Sequence, residues 1–83
     1  MATLGARYTR EEFAKRGQTI FDREIAGAVR PEDDGKFVAI DIDSEDFELD
    51  KDDYAATERL LVRHPDAQIW LIRIGDEAAY RIG

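Results

Sequence analysis

The hydrophobic period of this chain changes once, at Pro31-Glu-Asp-Asp-Gly35, and that change limits the folds open to it. Before it, Phe13, Gly17, Ile20, Phe21, Ile25, Ala28 and Val29 recur at three- and four-residue intervals, the spacing of one helix face. After it, Val38, Ile40 and Ile42 alternate with Phe37, Ala39 and Asp41, the period of a strand. Thr9 and Glu12 have capping-box spacing, so a helix is predicted over residues 9–30, with residues 1–8 flexible before it. Gly17 and Gly27 weaken that helix locally, and residues 31–35 are expected to form a flexible joint.

A second strand is expected over residues 46–49. With Ser44 and Glu45 at the turn, Ile42 pairs with Phe47 and Ile40 with Leu49, placing the apolar side chains of the hairpin on one face. Asp50 is the expected N-cap of a second helix with Asp52 and Asp53 in its first turn. Tyr54, Thr57, Leu60 and Leu61 supply its inward face, and His64-Pro65 ends it, with His64 as C-terminal cap. Residues 68–74 (QIWLIRI) are predicted as a buried strand with Trp70 in the core, and residues 78–82 as a short return strand. The expected fold class is α+β, an N-terminal helix followed by a small β-β-α-β(-β) sheet in residues 35–83, all within one domain of residues 1–83. The first strand should lie between the other two, with the second helix on one face. On the other, Phe37, Ala39, Ile69 and Leu71 need cover, from the N-terminal helix or, alternatively, from a second subunit in a homodimer.

Charge is distributed very unevenly. Residues 41–53 (DIDSEDFELDKDD) carry eight acids and one Lys, a net of −7, which equals the formal net charge of all 83 residues. The acids alternate with Ile42, Phe47 and Leu49, so they belong to folded structure and not to a disordered tail. In the expected register Asp41 faces Glu48 and Asp43 faces Asp46, and like charges directly opposite are destabilising. One explanation is structural: Arg73 and Arg81 neutralise part of the cluster while Asp50, Asp52 and Asp53 cap a helix. The other is functional: Asp41, Asp43, Glu45, Asp46 and Glu48 form a docking surface for a basic protein partner, where focused negative potential speeds encounter.

Several function classes are disfavoured. No basic stripe exists for phosphate contacts, so direct nucleic-acid binding is not expected, although an acidic domain can mimic nucleic acid in a basic groove. The first helix mixes both charge signs, which gives it no cationic membrane face, and no apolar run nears the roughly 18 residues of a spanning helix. With no Cys there is no disulfide or thiolate site, and residues 1–10 lack the apolar middle of a secretory signal, so a cytoplasmic protein is expected.

Phe37-Val-Ala-Ile-Asp41-Ile-Asp43 resembles locally the nucleophile strand of haloacid-dehalogenase phosphatases and the first acidic motif of proofreading-type exonucleases. Glu45 departs from the phosphatase pattern, and 83 residues leave no room for the distant acids either family uses. A metal-dependent phosphate-cleaving enzyme using Asp41 and Asp43 therefore stands as the alternative, with no enzyme and no cofactor as the expectation. An EF-hand loop is poorly matched, because Asp46 stands where Gly is required, and no metal site is expected.

Over nearly the whole chain, the segments from Gly35-Lys36 to Asp41, from Ala56 to Leu60, Arg63-His-Pro-Asp-Ala67 and Ile72-Arg-Ile-Gly75 resemble, in order, a family of short bacterial proteins most frequent in cyanobacteria. The resemblance implies no particular activity. By its size and setting it suggests a small partner-dependent regulatory, antitoxin-like role. Glu45-Asp46 and Asp76-Glu77 depart from the family pattern, both in the acidic direction. The expected function is a bacterial, cytoplasmic, acidic protein-interaction module.

Overall fold

Thr9 starts the first helix as its spacing predicts: its hydroxyl accepts the Glu12 amide at 3.0 Å, and the Glu12 carboxylate accepts the Thr9 amide at 3.0 Å. The computed structural model describes residues 8–75. Helix α1, Arg10–Ile20, passes into a single π-helical turn, Phe21–Ile25, and then a 3₁₀ turn, Ala26–Ala28. A π turn brings residues five apart towards one side, so Ile20 and Ile25 both reach the core beside Phe21. The joint predicted at residues 31–35 is pinned. Pro31–Asp33 forms a 3₁₀ turn in which the buried Asp33 carboxylate accepts the Arg30 amide at 3.0 Å and the Lys36 ammonium at 2.9 Å.

Strands β1 (Phe37–Asp41), β2 (Phe47–Asp50) and β3 (Ile69–Arg73) form a sheet of order β2-β1-β3, with β1 antiparallel to both neighbours. Helix α2, Asp53–Arg63, connects the two outer strands. The class is α+β, with β1 central as expected. The return strand predicted for residues 78–82 lies outside the described residues.

The hairpin register differs from the expectation by two residues. Ile40 is opposite Phe47 and Val38 opposite Leu49, which puts Ala39 across from Glu48. The turn is longer than expected: the Asp41 amide donates to the Asp46 carbonyl at 2.9 Å and the Glu45 amide to the Asp41 carbonyl at 2.7 Å, with Glu45 at φ 71°. A slip of two preserves the alternation of faces, so every apolar side chain keeps its side while every partner changes. The Asp41–Glu48 opposition and its like-charge cost are absent.

The helices also exchange the faces expected of them. Val38, Ile40 and Ile42 of the hairpin and Trp70, Ile72 and Ile74 around β3 pack with Ile20, Phe21 and Ile25, so the N-terminal helical run covers this larger face. On the other, Ala39, Ala56 and Leu60 form a small core with Ile69 against it. Two alanines meeting let α2 lie close to the sheet, whereas the bulkier face needs the larger side chains of the first helix. At Gly17 the backbone of α1 comes close to β3: a Cβ there would lie 2.2 Å from Cε3 of Trp70. The glycine that weakens the isolated helix is what lets its backbone rest on the indole ring.

Candidate functional site

The expected N-cap of α2 is displaced by two residues. Asp52 caps the helix, accepting the Tyr54 amide at 3.2 Å, while Asp50 accepts the Asp52 amide at 2.8 Å and turns its other oxygen to Arg59. Positions four apart on a helix are separated by about 6 Å along its axis. Positions two apart on a strand are separated by about 6.6 Å. These near-equal pitches let Arg59 and Arg63 of α2 interleave with Asp46, Glu48 and Asp50 at the β2 edge.

Arg59 donates from Nε to Glu48 Oε1 at 2.8 Å, from Nη1 to Asp50 Oδ2 at 3.0 Å and from Nη2 to the Leu49 carbonyl at 3.2 Å. Arg63 donates from Nε to Asp46 Oδ2 at 2.9 Å and from Nη1 to Glu48 Oε2. His64, the C-cap as expected, places Nε2 2.9 Å from Asp46 Oδ2. The Arg63 hydrogen bond, reinforced by His64 against the cost of burial, holds the Asp46 carboxyl at about 2. Glu48 is lowered chiefly by Arg59, and Asp50 by the Asp52 amide and then Arg59.

Asp41 has a different part. Only 2% of it is exposed, and its Oδ1 accepts the Asp43 amide at 3.1 Å and the Gln68 amide at 3.0 Å, while Oδ2 accepts the Ser44 hydroxyl at 2.8 Å. Burial pushes its pKa up, but the Gln68, Ser44 and Asp43 donors outweigh it and hold the carboxyl below its ordinary value. Asp41 therefore ties the hairpin turn to the segment entering β3. At the tip, Asp43 accepts the Tyr8 hydroxyl at 2.6 Å, and Glu45 pairs with Arg23 at 2.6 Å.

The five hairpin acids thus divide three ways: Asp41 inward, Asp43 and Glu45 towards the first helical run, Asp46 and Glu48 towards α2. Among the described residues no three His, Asp or Glu side chains are grouped to hold a metal. The ion pairs on the hairpin come from Arg23, Arg59 and Arg63, which the sequence reading did not single out. Arg73, the expected counter-charge, lies over the Phe37 ring, 5.8 Å from its centroid, and Arg81 is outside the described residues. One signal for the pairing was in plain view: arginines four apart following acids two apart.

The outer face of α2 also departs from expectation. Ala56 and Leu60 point inward; of the other predicted core positions Thr57 is half-buried, while Tyr54 is 68% and Leu61 37% exposed. At about 100° per residue, Tyr54, Glu58, Leu61 and Val62 share the side opposite Ala56 and Leu60. Val62 is 80% exposed. The neighbouring Glu58 carboxylate raises the pKa of the Tyr54 hydroxyl. Among the described residues no cation forms an ion pair with Asp52, Asp53, Glu58 or Asp66. Comparison with protein-family models, with characterised proteins and with solved structures gives no match.

Proposed function

We propose that this chain is an acidic protein-interaction module whose partner is a basic protein, in the setting its sequence resemblance suggests, a bacterial cytoplasm and a small regulatory, antitoxin-like pair. The observation that carries this is where the charge remains after internal pairing. Residues 41–66 hold ten acids against Lys51, Arg59 and Arg63, and the two arginines are spent on Asp46, Glu48 and Asp50. Asp52, Asp53, Glu58 and Asp66 face solvent on and around α2, and among the described residues none of them is ion-paired with a cation. Such a predominantly negative surface accelerates encounter with a basic partner and orients it.

The docking acids are therefore centred on α2, with Asp43 and Glu45 at the edge of that field; Asp46 and Glu48 serve the fold first. A phosphate-cleaving site built on Asp41 and Asp43 would need Asp41 open to substrate or metal, and both its oxygens are already occupied in the interior.

Affinity capture from extract of the native host tests the proposal, using the full chain and a variant carrying Asp53→Asn, Glu58→Gln and Asp66→Asn. A basic protein is expected to be held by the parent chain and lost from the variant. It should also be released as ionic strength rises from about 0.01 M to about 1 M and the Debye length falls from about 30 Å to about 3 Å. An acidic partner, or equal capture by both chains at every salt concentration, overturns it.

A further inference from the structure

A helix lying on a sheet by one face is ordinarily polar on the other. On α2, three of the four positions opposite the buried Ala56 and Leu60 are Tyr54, Leu61 and Val62. Their spacing, i, i+7 and i+8, sets an apolar anchor at each end of a span about 12 Å long down the helix, with Glu58 between them. Glu58 lies on the same face, midway between Tyr54 and Val62, and Asp66 follows the C-terminal end of the helix; among the described residues neither carboxylate is ion-paired with a cation. Tyr54 and Val62 are 68% and 80% exposed, so contact with the sheet, which Ala56 and Leu60 supply, does not account for their apolar character.

We infer that the outward face of α2 docks a basic amphipathic helix of a partner protein, its apolar side on Tyr54, Leu61 and Val62 and its Lys or Arg side chains reaching Glu58 and Asp66. This rests on the interaction-module proposal and names its surface and the chemistry of its partner. Charge decides against a second copy of this chain. In an antiparallel two-fold pairing along this line, Glu58, midway between Tyr54 and Val62, meets its own symmetry mate at the centre of the contact, and each chain brings a net charge of −7. A basic helix turns that same carboxylate into an ion pair. Apolar anchors at helical spacing with complementary charge at the rim are how an amphipathic helix is recognised. A contact only about two helical turns long belongs to the small, transient class of interface.

The experiment uses the ¹⁵N-labelled full chain and two synthetic peptides of identical Leu and Lys composition, one with Leu at i, i+3, i+4 and i+7 and one with the order shuffled. Amide shifts centred on residues 54–62 are expected with the amphipathic peptide, with binding at least tenfold tighter than that of the shuffled one. Val62→Gln alone, or with Leu61→Gln, should weaken binding at least tenfold without altering charge. Val62→Gln keeps the test readable even where the double variant folds poorly, because Val62 makes little contact with the fold. Equal binding of both peptides, or shifts confined to Asp43 and Glu45, overturns the inference while leaving the acidic-module proposal standing. No binding of either peptide overturns both. A concentration-dependent dimer abolished by Val62→Gln, or contacts from residues 1–7 or 76–83 to this face in the free chain, also overturns it, by identifying a different occupant.

Discussion

The two faces of the sheet are held by different forces. On the α1 side, nine buried residues from Ile20 to Ile74 form a continuous apolar core. On the α2 side the small apolar core is formed, among the described residues, by Ala39, Ala56 and Leu60, and the helix is joined to β2 by alternating arginines and carboxylates. Apolar burial is nearly indifferent to pH and strengthened by kosmotropic salts, whereas half-exposed ion pairs are titratable and screened. The α1 side should therefore survive conditions that loosen α2, the element carrying the candidate docking surface.

The largest effect should come from cutting each core in turn. Ile40→Ala removes a fully buried side chain from the centre of the larger core and should cost roughly 2–5 kcal/mol in urea unfolding. Leu60→Ala, the matching cut on the thin side, should fall in the same range, but with α2 amides losing exchange protection before those of α1. Simultaneous loss of protection in both helices would remove the distinction between the faces.

Gly17→Ala gives a test of sign. In a solvent-facing helix this change stabilises by about 1 kcal/mol. Here the new methyl meets Trp70, and overpacking of this kind costs roughly 1–3 kcal/mol. Net destabilisation is expected, with altered Trp70 fluorescence; a more stable protein would mean that α1 does not press on the ring.

Acid should act on the α2 side first. Because Asp46 is depressed from 3.8 to about 2 in the fold, its contribution is fully present above 3.8 and is lost as pH falls from there through about 2. Glu48 and Asp50 shift in the same direction. Amide exchange followed down that range should show α2 opening ahead of α1. Glu48→Gln should weaken the α2 attachment by about 1 kcal/mol or less at neutral pH, the scale of a partly exposed ion pair, and flatten the acid response. A pH profile unchanged by Glu48→Gln would remove the ion pairs from the account.

The smallest stability effect should belong to Val62→Gln, within about 0.5 kcal/mol of the parent chain, as for most surface changes. A larger loss in urea unfolding would mean that Val62 serves the fold, and with it the contrast between an inward structural face and an outward binding face would go.

Much of the fold was legible because it is written in short-range patterns. Thr9 and Glu12 satisfy each other three residues apart, His64-Pro65 ends a helix wherever it stands, and the change of period at residues 31–35 separates helix from strands without reference to anything distant. The hairpin acids were legible as a concentration of charge. Their individual roles were not, because a carboxylate in sequence does not show whether it will meet an arginine, an amide or water.

The sequence by itself determined the order of elements, the alternation of faces along β1 and the place of Trp70 in the core, since each follows from periods of two or 3.6 within one segment. Only the tertiary structure decided the hairpin partners, because a two-residue slip leaves the alternation intact and the turn geometry at Asp41 and Glu45 breaks the tie. It likewise decided which helix covers which face, through the fit of Gly17 to Trp70 and of Ala56 to Ala39. That choice brought Arg59 and Arg63 to the β2 acids at matching pitch, and it turned Tyr54, Leu61 and Val62 outward. These outcomes depend on contacts between segments far apart in the chain, which local periodicity does not encode.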